Sequence, residues 1–292
     1  MTRISAASQR TVQLKHHLGT MATHRQDPAP WRSPFLDHVS KLKPWPSFTL
    51  STLHPISPSS SFASITPFEP RNRTLVFRGM WASLPVNPKN TAELNPEGAY
   101  ESDLLTVVTD ARMEKIPELF KSAGEVESRQ SGTGGPVEAV FWIEDTNTQW
   151  RIRGHALVIG PDIDSDAASP IRSALHQHMR PSSSASASRS FSFARELTAH
   201  FGNLSPAMRG SYRNPPPGTP ITQTPGPGLG LGSKVEDLDD EAARDNFRVL
   251  ALVPEEVDRV DLSDPEDHRR WHYKLINGGG EVRTWKVTEL WP

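Results

Sequence analysis

The chain has 292 residues with 32 basic and 34 acidic side chains, so its net charge of -2 offers no global field for nucleic acid or an anionic membrane surface, and any anion site must be local. Cysteine is absent, which excludes disulfides, thiol nucleophiles and cysteine-ligated metal centres, and no apolar run approaches a membrane-spanning length. The 27 prolines and 19 glycines fall in patches among only 35% hydrophobic residues, which predicts one modest domain carrying polar insertions.

The first 26 residues hold Arg3, Arg10, Lys15 and Arg25 and no acid before Asp27, a composition shared by mitochondrial presequences and by disordered basic tails. A tail over 1–27 and a domain over 28–292 are expected, the protein being cytoplasmic, or mitochondrial if the tail is a presequence. Trp31, Phe35, Val39 and Leu42 recur at helical spacing. Phe48–Leu53 alternates like a strand, and the Ser/Pro-rich stretch 54–66 reads as a loop. Arg73–Arg78 is a second strand, ending at Gly79, and Leu104–Thr109 a third. Ile116, Leu119, Phe120 and Ala123 form one helical face, and Pro117 is tolerated only in a first turn, so the helix starts near Arg112 to Lys115.

Val137–Ile143 and Gln149–Ile159 predict a hairpin around Asp145–Thr148. Trp150, Ile152, Ala156 and Val158 share one face of its second strand, and Gln149, Arg151, Arg153 and His155 the other. The Ser-rich part of 180–190 is too small and polar to bury anything, and 215–246, rich in Pro and Gly and then acidic, reads as a linker or arm. Strands resume at Phe247–Val253, Val257–Leu262, Arg270–Ile276 and Glu281–Val287, with Asn277–Gly280 as a hairpin turn. About eight strands against a few short helices predict a mostly β (α+β) antiparallel barrel with low-complexity insertions.

Arg73 and Arg78 flank an apolar run containing Thr74 and Leu75. A regular strand puts these arginines on opposite faces, so they meet one ligand only at strand ends or across a bulge; otherwise they are solvated charges beside a core strand. Thr109, Arg112 and Lys115 lie at a strand-to-helix turn, where free amide groups make added cations unfavourable unless an anion joins them. Gln149 offers an amide that both donates and accepts. Arg209 and Ser211 precede the proline-rich stretch, and Glu266-Asp-His268-Arg-Arg270 opens the C-terminal hairpin. His16 and His17, His176 and His178, and His200 are read as lacking an acid or histidine partner at metal-site spacing, so no metal is expected.

In their order and spacing these segments resemble the pyridoxamine 5'-phosphate oxidase-like, FMN-binding split-barrel proteins. The resemblance implies that Arg73, Thr74, Leu75, Arg78, Thr109, Arg112 and Lys115 hold FMN through its phosphate, with Arg78 where lysine is common. Met113 and Glu114 stand where serine and a second arginine are usual. It further implies that Gln149 meets the flavin edge, that Arg270 binds FMN and that His268 is catalytic and substrate-binding. Glu266 replaces the substrate-binding arginine of the family, and Arg209 and Ser211 are candidate substrate contacts. Trp285 and Leu290-Trp-Pro292 fit the closing strand.

The function so implied is that of a flavin oxidoreductase acting on a small molecule, a homodimer with FMN between subunits, without nucleic acid or membrane partners. Two alternatives accompany it. One is a non-catalytic FMN-binding protein, or a flavin reductase acting on a substrate other than B6 vitamers; the other is a cofactor-free β-barrel interaction module.

Overall fold

The structure is a computed structural model that describes residues 27–43, 45–126, 128, 130–182, 188–277 and 283–292. Helix α1 (Arg32–Val39) precedes the paired strands β1 (Ser47–Pro55) and β2 (Phe68–Val76). A short β3 (Glu101–Ser102), β4 (Leu105–Asp110) and helix α2 (Lys115–Ser122) lead into the hairpin of β5 (Gly132–Ile143) and β6 (Thr148–Ile159). Helix α3 (Ser169–Gln177), strand β7 (Met179–Arg180) and helices α4 (Phe193–Gly202), α5 (Pro206–Gly210) and α6 (Glu241–Asn246) follow. Strands β8 (Phe247–Asp261), β9 (Arg269–Asn277) and β10 (Arg283–Leu290) end the chain. The expectations for the N-terminal tail, for most of the Ser182–Ser188 run and for the C-terminal hairpin turn fall outside the described residues.

The main sheet runs β10-β9-β8-β6-β5-β1-β2, with β4 also on β8, and its pairs are antiparallel. One edge of β8 is divided between two partners: β4 takes Phe247–Leu252 and β9 takes Glu256–Asp261, while β6 follows the other edge from Val249 to Asp261. Glu255 is the extra residue of a bulge opposite Arg153 and Gly154. The pattern that predicts two strands, Phe247–Val253 and Val257–Leu262, is therefore one strand. Pro254, which lacks an N–H, falls at the bulge, where strands accept proline.

Beyond β2 the chain turns onto β4. Arg78 N donates to Thr106 O at 2.8 Å, Thr106 N to Gly79 O at 2.9 Å and Trp81 N to Leu104 O at 2.9 Å, closing a ring of six strands from which β9 and β10 splay. This is the antiparallel split barrel with short peripheral helices that the sequence predicts. Gly79 is needed at the turn: its φ is +105°, and a Cβ there would lie 2.3 Å from Pro85 Cδ.

Alternation along the strands sends Leu50, Val107, Phe141, Trp150, Ile152 and Leu250 into the barrel, where Trp31, Phe35 and Val39 of the α1 region and Ile116, Leu119 and Phe120 of α2 close the core. Phe35 meets Phe77, Phe141 and Trp150 edge-on at 5.8, 5.0 and 5.5 Å, contacts of about 0.5–1.5 kcal/mol each beyond area burial. Outside the wall, Phe247, Val249 and Ala251 pack with Trp81, Phe201 and Tyr212 in a second cluster. Burial on both faces accounts for the unbroken apolar run at the start of β8.

A further span differs from expectation. The β1–β2 hairpin is longer than the apolar runs suggest, with His54 and Pro55 in β1 and Phe68 opening β2, because paired backbone extends it beyond the apolar positions. Of the alternatives for 215–246, a linker or an arm, the buried Val235 and Ala243 of the second cluster fit a packed arm.

Candidate functional site

Where β2 turns onto β4, a cavity of about 720 Å³ opens between the barrel wall and the strap formed by residues 208–231. An adjoining cleft of about 380 Å³ shares Thr74, Leu75, Met113, Lys115 and Pro217 with it and reaches Arg71 and Arg73. The volumes lie in the range of small-molecule sites.

Thr109 is the penultimate residue of β4 and Lys115 the first of α2, so the tight turn between them brings Lys115 Nζ to Thr109 Oγ1, donating at 2.9 Å. Lys115 is buried, and burial first, then the charge of Arg73, lowers its ammonium to about 8. Arg78 lines the same cavity from the end of β2. Its buried Nε has no hydrogen-bond partner, and burial lowers its guanidinium from the ordinary value. Neither Arg78 nor Lys115 has a carboxylate within ion-pair distance among the described residues. Lys115 is held out of water and Arg78 half so, and Glu118 and Asp110 offset only part of the cost at Lys115, so a bound anion lowers what remains.

Arg73 is placed differently. Its Nη2 donates to Glu118 Oε2 of α2 at 2.5 Å, Thr52 bonds both partners, and His54 Nδ1 stands 3.1 Å from Glu118 Oε1. Burial raises the Glu118 carboxyl, but the hydrogen bonds of Thr52 and His54 and the Arg73 guanidinium outweigh it and hold the group below its ordinary range. Arg73 thus reaches the outer cleft already paired. Thr74 and Leu75 line both spaces. The opposite-face problem of Arg73 and Arg78 is met by the strand end: β2 stops at Val76, and the two arginines border adjoining spaces with Lys115 between them.

Arg112 turns back from the cavity. It grips Asp110 with Nε to Oδ1 at 2.9 Å and Nη2 to Oδ2 at 2.6 Å, and donates to the carbonyls of Asn214 at 3.0 Å and Tyr212 at 3.1 Å, anchoring the strap. Arg209 is buried and donates to the carbonyls of Val235 (2.8 Å), Leu204 (2.8 Å) and Gly202 (3.3 Å), so it ties α4 and α5 to the far end of the strap. Ser211 lines the cavity, its hydroxyl donating to Met208 O at 2.7 Å.

Gln149, His268 and Arg270 form a separate group. Gln149 on β6 and Arg270 on β9 flank Val260, whereas Thr109 pairs with Arg248. From 248 to 260 is twelve residues, a path of about 40 Å along β8. Arg270 Nε donates to Asp258 Oδ1 at 3.0 Å, and His268 is exposed in the loop before β9 with Glu266. Within one chain these residues do not border the cavity. Nearby, Glu256, Asp258 and His272 could between them ligate a cation, their ligand atoms lying within 4.8 Å of one another. Arginines already occupy them: Arg153 pairs with Glu256, and Arg151 and Arg270 with Asp258. No described helix is long and apolar enough to cross a membrane.

Sequence reasoning singled out Arg209 and Ser211 in this segment but not their neighbours in the roof of the cavity. Tyr212, Met208, Pro215–Pro217 and Leu231 all line it, and burial, then Asp110, raises the Tyr212 phenol, which stays neutral. Low apolar content hid the strap; the signal that could have revealed it is the run of three prolines, a stiff extended segment that orders at little entropic cost.

Residues 28–160 match the family model described as pyridoxamine 5'-phosphate oxidase, FMN-binding domain. The span contains Arg73, Arg78, Thr109, Lys115 and Gln149 but not the strap, His268 or Arg270. No curated protein matches the chain. Among solved structures it is similar to a pyridoxamine 5'-phosphate oxidase-related, FMN binding protein from Nostoc punctiforme PCC 73102, with a TM-score of 0.51 and 21% identity, covering 90% of this chain and 98% of that one. PhzG from Burkholderia lata 383, in complex with tetrahydrophenazine-1-carboxylic acid, is similar with a TM-score of 0.38 and 15% identity, covering 90% of each chain. Over residues 28–160 the chain thus matches the FMN-binding domain of the pyridoxamine 5'-phosphate oxidase family, and its strands close into the same split-barrel fold as the Nostoc punctiforme protein.

Proposed function

We propose that the chain is an FMN-dependent oxidoreductase that holds the flavin phosphate with Arg78, Lys115 and Thr109, with Arg73 bordering the adjoining cleft. The observation that carries this reading is the pair of cations, half-buried Arg78 and buried Lys115, that face one cavity without a carboxylate in ion-pair distance among the described residues. FMN fits better than FAD, since the site suits a terminal phosphate and no dinucleotide-binding fingerprint follows a strand. Bound flavin would supply hydride and electron transfer, while the protein orients it and limits access of water. Thr109 and Lys115 offer donors to phosphate oxygens, and Ser211 a hydroxyl to a substrate.

Gln149, His268 and Arg270 enter this reading through a second copy of the chain, whose far end of β8 would meet the cavity of the first. The outer strand β10 and the C-terminus carry exposed Val287, Leu290 and Trp291, apolar surface suited to such a contact. A narrower reading, an FMN-binding protein that does not turn over B6 vitamers, is favoured by Glu266 standing where the family has its substrate-binding arginine.

The test is flavin uptake. Purified protein should take up one FMN per chain, and protein that stays colourless in excess FMN would refute the assignment. Light scattering should give a dimer mass, and Arg270→Ala should weaken FMN binding more than Arg269→Ala, whose arginine pairs with Glu289 on the splayed β9–β10 wing. A monomer that binds FMN normally would remove the second copy from the site.

A further inference from the structure

The cavity has a definite charge inventory. Its lining holds three charged side chains, Arg78, Asp110 and Lys115, and Asp110 is neutralised by its two bonds from Arg112. In the adjoining cleft Arg71 pairs with Glu69 and Arg73 with Glu118, and Glu114 adds a carboxylate. Within one chain the positive charge left over is that of Arg78 and Lys115, with Glu114 as a single unpaired carboxylate in the cleft, and the Arg270 that a second copy would bring is already paired with Asp258. A phosphate monoester carries about -1.5 to -2 at neutral pH, so the phosphate of one bound FMN matches the whole of it.

The rim has the opposite character. Met113, Met208, Ile221 and Leu231 are four large apolar side chains that remain exposed, and all four border this one cavity, with Pro215–Pro217 beside them. Exposed apolar side chains scattered singly are ordinary, whereas a cluster around a concave site marks a surface that an apolar ligand covers. The other polar groups in the wall, among them Asn214, Thr219 and Gln223, are uncharged and offer orientation without counter-charge.

We infer that the FMN-loaded site takes a neutral, largely apolar co-substrate and rejects phosphorylated or carboxylated ones. The inference rests on the FMN reading above and names its substrate class. A second anion would lose hydration in a cavity whose cations are already matched, while a neutral ring would cover the Met208, Ile221 and Leu231 side chains that now face water. Selection against anions follows from charge exhaustion within the cavity.

The experiment uses two probes that share a ring and differ in charge, 2-naphthol and 2-naphthyl phosphate, each titrated against FMN-free and FMN-loaded protein by equilibrium dialysis. FMN-free protein should bind the phosphate at least tenfold more tightly, because Arg78 and Lys115 are open to it. FMN-loaded protein should reverse this order and bind 2-naphthol at least tenfold more tightly. The double variant I221E/L231E, altered at exposed positions, should lose at least fivefold of the 2-naphthol affinity in the loaded form. Loaded protein that binds the phosphate as well as 2-naphthol, or binds neither probe, overturns this inference and leaves the FMN reading standing. Protein that takes up no FMN removes both.

Discussion

Lys115 Nζ donates to Thr109 Oγ1 across 2.9 Å, joining the first residue of α2 to the end of β4 and placing a buried ammonium on the cavity wall. Burial and Arg73 lower that group from 10.5 to about 8. Between about 8 and 10.5 the folded chain therefore binds fewer protons than the unfolded one, so the stability contribution of this site rises with pH across that window. A phosphate needs the charged form. FMN affinity should fall above pH 8 by up to about tenfold per unit, and Lys115→Met should bind FMN about tenfold to hundredfold more weakly at pH 7 and lack this dependence. Flavin fluorescence titrations from pH 7 to 10 measure both, and a flat profile for the native protein would contradict the assignment.

Glu118 is the anion that claims Arg73, and its side chain is 1% exposed. Its folded pKa is lowered, so its stabilising contribution is complete above the unfolded value and is lost as pH falls through the folded one. Glu118→Ala should cost about 3 kcal/mol in urea unfolding at pH 7, because Arg73, Thr52 and His54 all lose their shared carboxylate partner. The native protein should also lose more stability than the variant on acidification below pH 4.5. Parallel acid profiles would show that the pair is not a stabilising unit.

Gly210 fixes the strap to the second core. A Cβ on it would lie 1.8 Å from Ser233 O, and Val235 N donates to Pro206 O at 3.0 Å beside the bonds of Arg209. Gly210→Ala should cost about 2 kcal/mol or more. Removing 233–240 should be similarly harmful. Between 216 and 227 the backbone bonds are local turns, Thr219 N to Pro216 O and Gln223 N to Pro220 O, so shortening that stretch should shift the melting temperature by only about 3 °C or less. Calorimetry of the three variants checks the order, and a large loss on shortening 216–227 would show that the tip also holds the fold.

His200 is fully enclosed and stacked on Trp81 with ring centroids 5.8 Å apart; Glu196 Oε1 stands 3.9 Å from its Nε2, beyond hydrogen-bond distance, and neither ring nitrogen has a hydrogen-bond partner. Burial, then the charge of Arg78, lowers it to about 3. Stability linked to this ring is therefore complete above its unfolded pKa of 6.5 and is lost as pH falls from there toward 3. His200→Phe should remove that loss and gain about 1 kcal/mol at pH 7 by deleting an unsatisfied polar group. Melting curves at pH 7 and 5 decide the matter; equal slopes for variant and native protein would refute it.

Local periodicity made much of the fold legible. Trp31, Phe35 and Val39 at helical spacing are buried as a helical stripe, and Pro117 placed the start of α2 within its own first turn, because φ and the missing N–H of proline are properties of one residue. The concentration of cations between Arg73 and Lys115 could likewise be read directly. Burial of Val235 and Ala243 could not, since two apolar residues in a polar stretch make no period, and their partners on α4 and β8 come from other parts of the chain.

The sequence by itself determined which residues could hold an anion, and the tertiary structure decided which of them remain free to do so. Arg112 is claimed by Asp110 two residues away, Arg73 by Glu118 forty-five residues away, and Arg209 by three carbonyls, which leaves Arg78 and Lys115 facing the cavity. The same structure sends Gln149 and Arg270 to the far end of β8, because strand register accumulates about 3.3 Å per residue whatever the side chains are. Charge pairing acts over a few ångströms between groups that the chain can separate by any number of residues, so a neighbouring pair such as Arg112 and Asp110 is open to a local reading and a distant one such as Arg73 and Glu118 is not.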